Sequence, residues 1–137
     1  MKVNIGEREH EGVILLDLNG RLVAGENVAA LREKITELVT SGKVNAVLNL
    51  QHVDYIDSSG LGAMVMCFTS MRRAEGKLKL LNLTRRNVEL LVLTKLETVF
   101  EVFDEEQQAI NSFFPNREIR RFDILSFIQQ QKAEGKL

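Results

Sequence analysis

The chain has 137 residues, of which 45% are hydrophobic and 27% are charged. This composition fits one globular domain and excludes an intrinsically disordered chain. The 18 basic and 19 acidic side chains give a formal net charge of -1, so nucleic acid is not expected as the main ligand. Cys67 is the single cysteine, and no apolar run has the length of a signal peptide core or a membrane span. We therefore expect a soluble cytoplasmic protein that does not insert into a membrane.

The apolar pattern predicts strands that alternate with helices along most of the chain. The predicted strands are, in order, 2–9, 13–18, 46–50, 77–83 and 99–103. A helix is predicted after the second strand and after each later strand, with apolar stripes that include Leu31, Met64, Leu91 and Ile110. This order predicts an α/β fold with a mixed, mainly parallel sheet of four or five strands flanked by helices.

Turn and capping residues predict where these elements end. Asn19-Gly20 is expected to close the second strand, and Arg21 to Gly25 to form a loop before the first helix. Thr84 is placed to cap the third helix. The run Asp104-Glu105-Glu106-Gln107 has the spacing of a capping box for the fourth.

Pro115 breaks the pattern and divides the chain into a domain, 1–114, and a C-terminal extension, 115–137. The extension has helical content around Phe122, Leu125 and Ile128. Its apolar residues predict docking on the domain or on another subunit, so a homodimer is possible.

The stretch Asp57-Ser58-Ser59-Gly60-Leu61-Gly62 lies where a buried strand passes into an amphipathic helix. Unpaired backbone N–H groups at such a helix start favour a capping side chain and stabilise an added anion. The two glycines are expected to leave the first turn open to a large partner. The two serines could instead serve only as helix caps, of which Ser59 is the better candidate.

This hexapeptide resembles the motif of STAS domains of the bacterial anti-sigma factor antagonist type. The preceding strand residues Val47–Leu50 and Val53–Ile56 and the order of elements from about residue 2 to 114 fit the same family.

The resemblance implies a protein switch without catalytic residues or a cofactor. Such proteins bind an anti-sigma factor, often a GHKL-type serine kinase, and so free a sigma factor. The kinase would phosphorylate Ser58, which abolishes binding, and a metal-dependent serine phosphatase would restore it. Asp57 would position the hydroxyl, and Ser59, Gly60, Leu61 and Gly62 would form the contacted turn.

Two further places are expected to meet the partner. The loop from Gly20 to Glu26 includes Arg21, and it has Val23 where family members commonly carry an acidic residue, a role that Glu26 could take over. Met66 lies off the apolar stripe of its helix, so it suits an adaptable partner surface, with packing against a neighbouring helix as the alternative.

Other chemistries find little support. A nucleophile elbow requires a glycine two residues before the serine, where this chain has Ile56 or Asp57. His10 and His52 are expected in loops and supply no metal cluster. The arginine pairs at 72–73, 85–86 and 120–121 are interpreted as solvated faces. The rival functions are a STAS scaffold subunit of a signalling complex, a soluble subunit of a transporter, and a small serine hydrolase.

Overall fold

The computed structural model describes residues 3–135 of the chain. The strands in this range are β1 (Asn4–His10), β2 (Val13–Leu22), β3 (Asn45–Ile56), β4 (Lys77–Leu81) and β5 (Val102–Phe103). The α-helices are α1 (Glu26–Thr40), α2 (Ser58–Arg73), α3 (Arg85–Leu93), α4 (Glu106–Asn111) and α5 (Ile124–Ala133). None of these described helices combines the length and apolar character that crossing a membrane requires.

The strands form one sheet in the order β1-β2-β3-β4-β5. β1 is antiparallel to β2, and the three remaining pairs are parallel. Each parallel connection contains a helix, because parallel neighbours need a long crossover. The predicted mixed, mainly parallel α/β sheet is confirmed.

The central strands bury both of their faces. Along β3, Ala46 and Leu48 pack into the larger hydrophobic cluster, which includes buried residues of α1, α2 and α3, while Val47 between them belongs to a second cluster. This alternation follows from the two-residue period of a strand. The second cluster is closed by Ala109 and Ile110 of α4, so helices cover both faces of the sheet.

Two strands are longer than predicted. β2 continues through Asn19-Gly20 to Leu22, and β3 runs to Ile56. The two strands stay paired with irregular register between Asp17 and Arg21, where Gly20 has a φ of 130°. The glycine therefore allows a distortion inside the strand, and the prediction that Asn19-Gly20 ends β2 is wrong.

Other predicted boundaries also need correction. β4 ends at Leu81, and the last strand is only Val102–Phe103. The N–H groups of Val99 and Phe100 donate to the carbonyl of Leu96 in the turn that follows α3, which delays the start of the strand. The side chain of Thr84 caps α3 as predicted, accepting from the N–H of Asn87 at 3.3 Å.

The predicted capping box does not form. Glu105 occupies the N-cap position of α4 without a side-chain bond, and the carboxylate of Glu106 accepts from Arg8 at 2.7 Å. His10 and His52 lie in β1 and β3, not in loops, and both are exposed. Residue 2 of the predicted first strand lies outside the described residues.

The C-terminal extension docks on the domain. The N–H of Phe122 donates to the carbonyl of Val102 on β5 at 2.9 Å, and Phe122 and Ile124 pack against the larger cluster. Arg85 of α3 pairs with Glu134 after α5 at 2.6 Å. Leu125 remains 73% exposed. The boundary at residue 114 stays a prediction.

Candidate partner-binding site at the start of helix α2

Asp57 caps helix α2. Its Oδ1 accepts from the backbone N–H of Gly60 at 2.7 Å, and Ser58 and Ser59 are the first two residues of the helix. The prediction that a serine, above all Ser59, supplies the cap is therefore wrong. Hydrogen bonds from the backbone N–H of Gly60, which has the larger effect, and of Ala24 hold the pKa of Asp57 below its ordinary value. The cap is therefore a charged carboxylate.

Asp57 also fixes the neighbouring loop. Its Oδ2 accepts from the backbone N–H of Ala24 at 3.1 Å, and its own N–H donates to the carbonyl of Leu22 at 3.2 Å. The loop of residues 23–25 follows β2, and the start of α2 follows β3. The carboxyl ends of two adjacent parallel strands are thus tied together by one aspartate, as expected for a site at this edge of an α/β sheet.

The two glycines of the motif have different roles. A Cβ on Gly60 would lie 2.2 Å from the carbonyl oxygen of Leu22 and 2.9 Å from Cγ2 of Ile56, whereas a Cβ on Gly62 would meet nothing within 4 Å. Gly60 is buried, and its lack of a side chain lets α2 approach β2 closely. The expectation that both glycines leave the turn open is wrong for the buried Gly60, and for the exposed Gly62 it stays a prediction.

An exposed stripe runs along α2 from the motif. Ser58, Gly62 and Met66 are spaced by four residues, lie on one face of the helix and are all exposed, Met66 to 49%. Within residues 3–135 the structure gives the hydroxyl of Ser58 no hydrogen-bond partner, and Ser59 is likewise exposed. Leu61 is half-buried. About half of the Met66 side chain is therefore open to a partner.

Next to the motif, at the ends of β2 and β3, Arg21 lies against Tyr55. Arg21, the next-to-last residue of β2, is paired with Tyr55 of β3, and its guanidinium lies 5.1 Å from the centre of the tyrosine ring. Arg86 of α3 lies over the same ring, also at 5.1 Å. Glu26, the other predicted loop contact, is the exposed first residue of α1.

Sequence reasoning missed the role of Arg86 by interpreting it as part of a solvated face. Arg85, Arg120 and Arg121 are exposed, as that interpretation expects, and each also forms a surface ion pair with a glutamate. No local pattern signals the stacking, because Arg86 and Tyr55 belong to different elements.

A groove of about 590 Å³ separates the start of α2 from α3. Its polar lining combines a tyrosine, a serine and an arginine with two carboxylates, and its apolar lining is leucine-rich. The residues are Tyr55, Ile56, Asp57, Ser58, Leu61, Arg86, Asn87, Glu89, Leu90, Leu93 and Thr94. Ser58 is thus shared by the groove and by the exposed stripe.

Neither histidine forms a hydrogen bond with Ser58 or Ser59 in the described part of the chain. His10 and His52 lie on exposed strand positions, and residues 3–135 contain no group of three His, Cys, Asp or Glu side chains suited to a metal ion. The carboxylate next to Ser58 in the chain, that of Asp57, already accepts from two backbone N–H groups. The described residues therefore give Ser58 no hydrogen-bonded general base.

Comparison with known proteins identifies the family to which this domain belongs. The model of the STAS domain family matches residues 4–109. The chain belongs to the STAS domain family. This STAS domain is 30% identical over 110 residues to the anti-sigma-B factor antagonist of Bacillus subtilis, a match that covers 80% of this chain and 99% of the relative.

Two further matches agree with the family. The anti-sigma-B factor antagonist of Listeria monocytogenes is 32% identical to this STAS domain over 110 residues, covering 77% of this chain and 91% of the relative. The crystal structure of an anti-sigma factor antagonist from Mycobacterium paratuberculosis superposes with a TM-score of 0.70 at 18% identity, covering 80% of this chain and 92% of that one. At that identity the superposition supports the STAS fold alone.

Proposed function

We propose that this STAS domain is an anti-sigma factor antagonist whose binding is switched off by phosphorylation of Ser58. The observation that carries the proposal is that Asp57 caps α2, which leaves the exposed Ser58 hydroxyl without a structural partner. Relatives of 30% and 32% identity are anti-sigma-B factor antagonists, which supports the same function.

The exposed stripe favours Ser58 over Ser59 as the modified residue. Ser58 lines up with Gly62 and Met66, and it also borders the groove next to α3. A partner that covers both surfaces would bury the Ser58 hydroxyl near the centre of the contact. The flexible Met66 side chain suits such a partner because methionine adapts to different surfaces.

Phosphorylation would change the surface and leave the fold intact. A phosphate adds about -1.5 to -2 charges at neutral pH. At the first turn of a helix an anion gains about 0.3–1 kcal/mol in an exposed position, and repulsion from Asp57 opposes that gain. In a covered interface the same charge without a partner is costly by several kcal/mol. Binding is therefore lost while the domain stays folded.

The expected partners follow from this switch. The bound protein would be an anti-sigma factor that is itself a GHKL-type serine kinase, and a metal-dependent serine phosphatase would return the domain to its binding state. The STAS domain acts in the cytoplasm as the substrate of these enzymes and catalyses no reaction itself. The contact would be bordered by Arg21 of β2, Glu26 of α1, and the motif residues Asp57, Ser59, Leu61 and Gly62.

The test compares Ser58→Ala and Ser58→Asp with Ser59→Ala, a matched control one residue away. The purified proteins are incubated with ATP and the anti-sigma-type kinases of the host, phosphate is mapped by mass spectrometry, and kinase binding is measured by calorimetry. We expect phosphate on Ser58 in the parent and in Ser59→Ala, none in Ser58→Ala, and loss of binding in Ser58→Asp.

The contrary outcomes separate the rival functions. If Ser58→Asp bound as tightly as the parent, the proposed charge effect at the interface would be refuted. If no kinase placed phosphate on Ser58, the scaffold or transporter-subunit function would be favoured. Turnover of simple ester substrates, abolished by Ser58→Ala, would instead support a hydrolase.

A further inference from the structure

Two arginines, Arg21 and Arg86, lie over the ring of Tyr55. The guanidinium groups of Arg21 and Arg86 each lie 5.1 Å from the ring centre. Within residues 3–135 neither forms an ion pair, whereas the adjacent Arg85 pairs with Glu134 at 2.6 Å and with Glu89 at 3.8 Å. Stacking on an exposed aromatic face holds a cation only weakly. Both charges are therefore available to an anion.

Arg86 is the one of the two that borders the groove with Ser58. Tyr55, Asp57 and Ser58, from the end of β3 and the start of α2, line the groove together with Arg86 and Glu89 of α3. The two carboxylates are already engaged, Asp57 by the N–H groups of Gly60 and Ala24 and Glu89 by Arg85. Neither competes strongly for the Arg86 guanidinium.

We propose that Arg86 is the receptor for the phosphate on Ser58. Its guanidinium would move off the Tyr55 ring and form a charge-assisted pair with the phosphate across the groove. The inference rests on the proposed function, because it concerns the modified form of the same serine. A planar guanidinium binds phosphate through two parallel N–H···O bonds, a stronger contact than stacking on a ring. The pair would join the start of α2 to α3 and close the Tyr55 end of the groove, so the inactive state would differ from the active one in shape as well as charge.

The test supplies the phosphate without a kinase. Phosphoserine is placed at position 58 during translation, and the second ionisation of the phosphate is followed by phosphorus NMR as a function of pH. Arg86→Gln removes the proposed receptor. Arg73→Gln removes the same charge from the exposed last residue of α2, which forms no ion pair within residues 3–135, and is the control for net charge. Thermal melts verify that each variant is folded.

A bound guanidinium favours the doubly charged phosphate, so it lowers the pKa. We expect the phosphate pKa to rise by about one unit in Arg86→Gln and to stay at the parent value in Arg73→Gln. A parent-like pKa in Arg86→Gln, or an equal rise in both variants, would overturn the proposal.

Tyr55 provides a second readout, because it is the only tyrosine and the chain has no tryptophan. Intrinsic fluorescence therefore reports on this ring alone. We expect phosphoserine at position 58 to change it in the parent and in Arg73→Gln, but much less in Arg86→Gln. Kinase-dependent phosphorylation of Ser58 with no effect of Arg86→Gln in either readout would leave the proposed function standing and refute this inference.

Discussion

The glycine pair in α2 provides a sharp test of how the site is built. Gly60 and Gly62 are two residues apart in the first turns of the same helix, and each can be replaced by alanine. At Gly60 the new Cβ would lie 2.2 Å from the carbonyl oxygen of Leu22, well inside the 3.0 Å below which real Cβ contacts are essentially never seen. At Gly62 it would meet nothing within 4 Å.

The two substitutions should therefore change stability in opposite directions. Overpacking against the fixed backbone of β2 is expected to destabilise Gly60→Ala by about 2–3 kcal/mol. Gly62→Ala should gain about 0.5–1 kcal/mol, because alanine is the better helix former and no contact opposes it. At about 4 °C per kcal/mol for a chain of this length, Tm should fall by about 8–12 °C in the first variant and rise by about 2–4 °C in the second.

Thermal and urea melts monitored by circular dichroism measure both effects. An unchanged Tm in Gly60→Ala would refute the reasoning that close approach of α2 to Leu22 requires glycine there. Gly62→Ala also adds a methyl group to the exposed stripe between Ser58 and Met66. If that stripe is the partner surface, the variant should bind the anti-sigma factor more weakly although it is more stable. Unchanged binding would place the contact elsewhere.

The tail, an acidic side chain and the cysteine provide three further tests. Phe122→Ala should lower the free energy of unfolding by about 1–2 kcal/mol in urea melts, whereas Leu125→Ala, at a side chain 73% exposed, should not; equal effects would refute the docking of Phe122. Hydrogen bonds from Arg8 lower the pKa of Asp17. The folded pKa thus lies below the unfolded one, and the stabilisation is present above the unfolded pKa and lost as pH falls through the folded one. Asp17→Asn should flatten the loss of stability below about pH 4, and an unchanged pH profile would contradict this. Burial raises the pKa of Cys67 to about 12, so iodoacetamide should label it only as α2 opens, and rapid labelling of the folded protein would contradict its burial.

The sheet could be predicted because its signals are local and periodic. The run Ala46–Leu50 is apolar at every position but Asn49, as a strand covered on both faces requires, and Met64 and Met71 fall on one helical stripe. Both methionines are fully buried. The order of such segments then decides between parallel and antiparallel pairing, since a helix between two strands permits a parallel crossover.

The ends of the strands could not be predicted because pairing across the sheet overrides local turn preferences. Asn19-Gly20 is a common turn sequence, yet β3 keeps pairing with β2 through Leu22 and Gly20 adopts a φ of 130° inside the strand. The same limit applies to the helix cap. Asp57, Ser58 and Ser59 are all good capping residues, and the capping Asp57 also accepts from the N–H of Ala24, a contact distant in sequence that no local pattern signals.

The capping of α2 by Asp57 also determines what the Ser58→Asp variant can report about phosphorylation. Because Asp57 caps the helix, Ser58→Asp adds a charge without replacing a structural bond, so a loss of binding would reflect the interface. An aspartate, however, carries one charge and two oxygens, where a phosphate carries about -1.5 to -2 charges and three. It is also shorter, so it would reach Arg86 across the groove less well. Ser58→Asp should therefore weaken partner binding while producing little of the Tyr55 fluorescence change that the phosphoserine protein shows. An equal change in Tyr55 fluorescence in both proteins would mean that added charge alone, without the geometry of a phosphate, moves Arg86 off the ring.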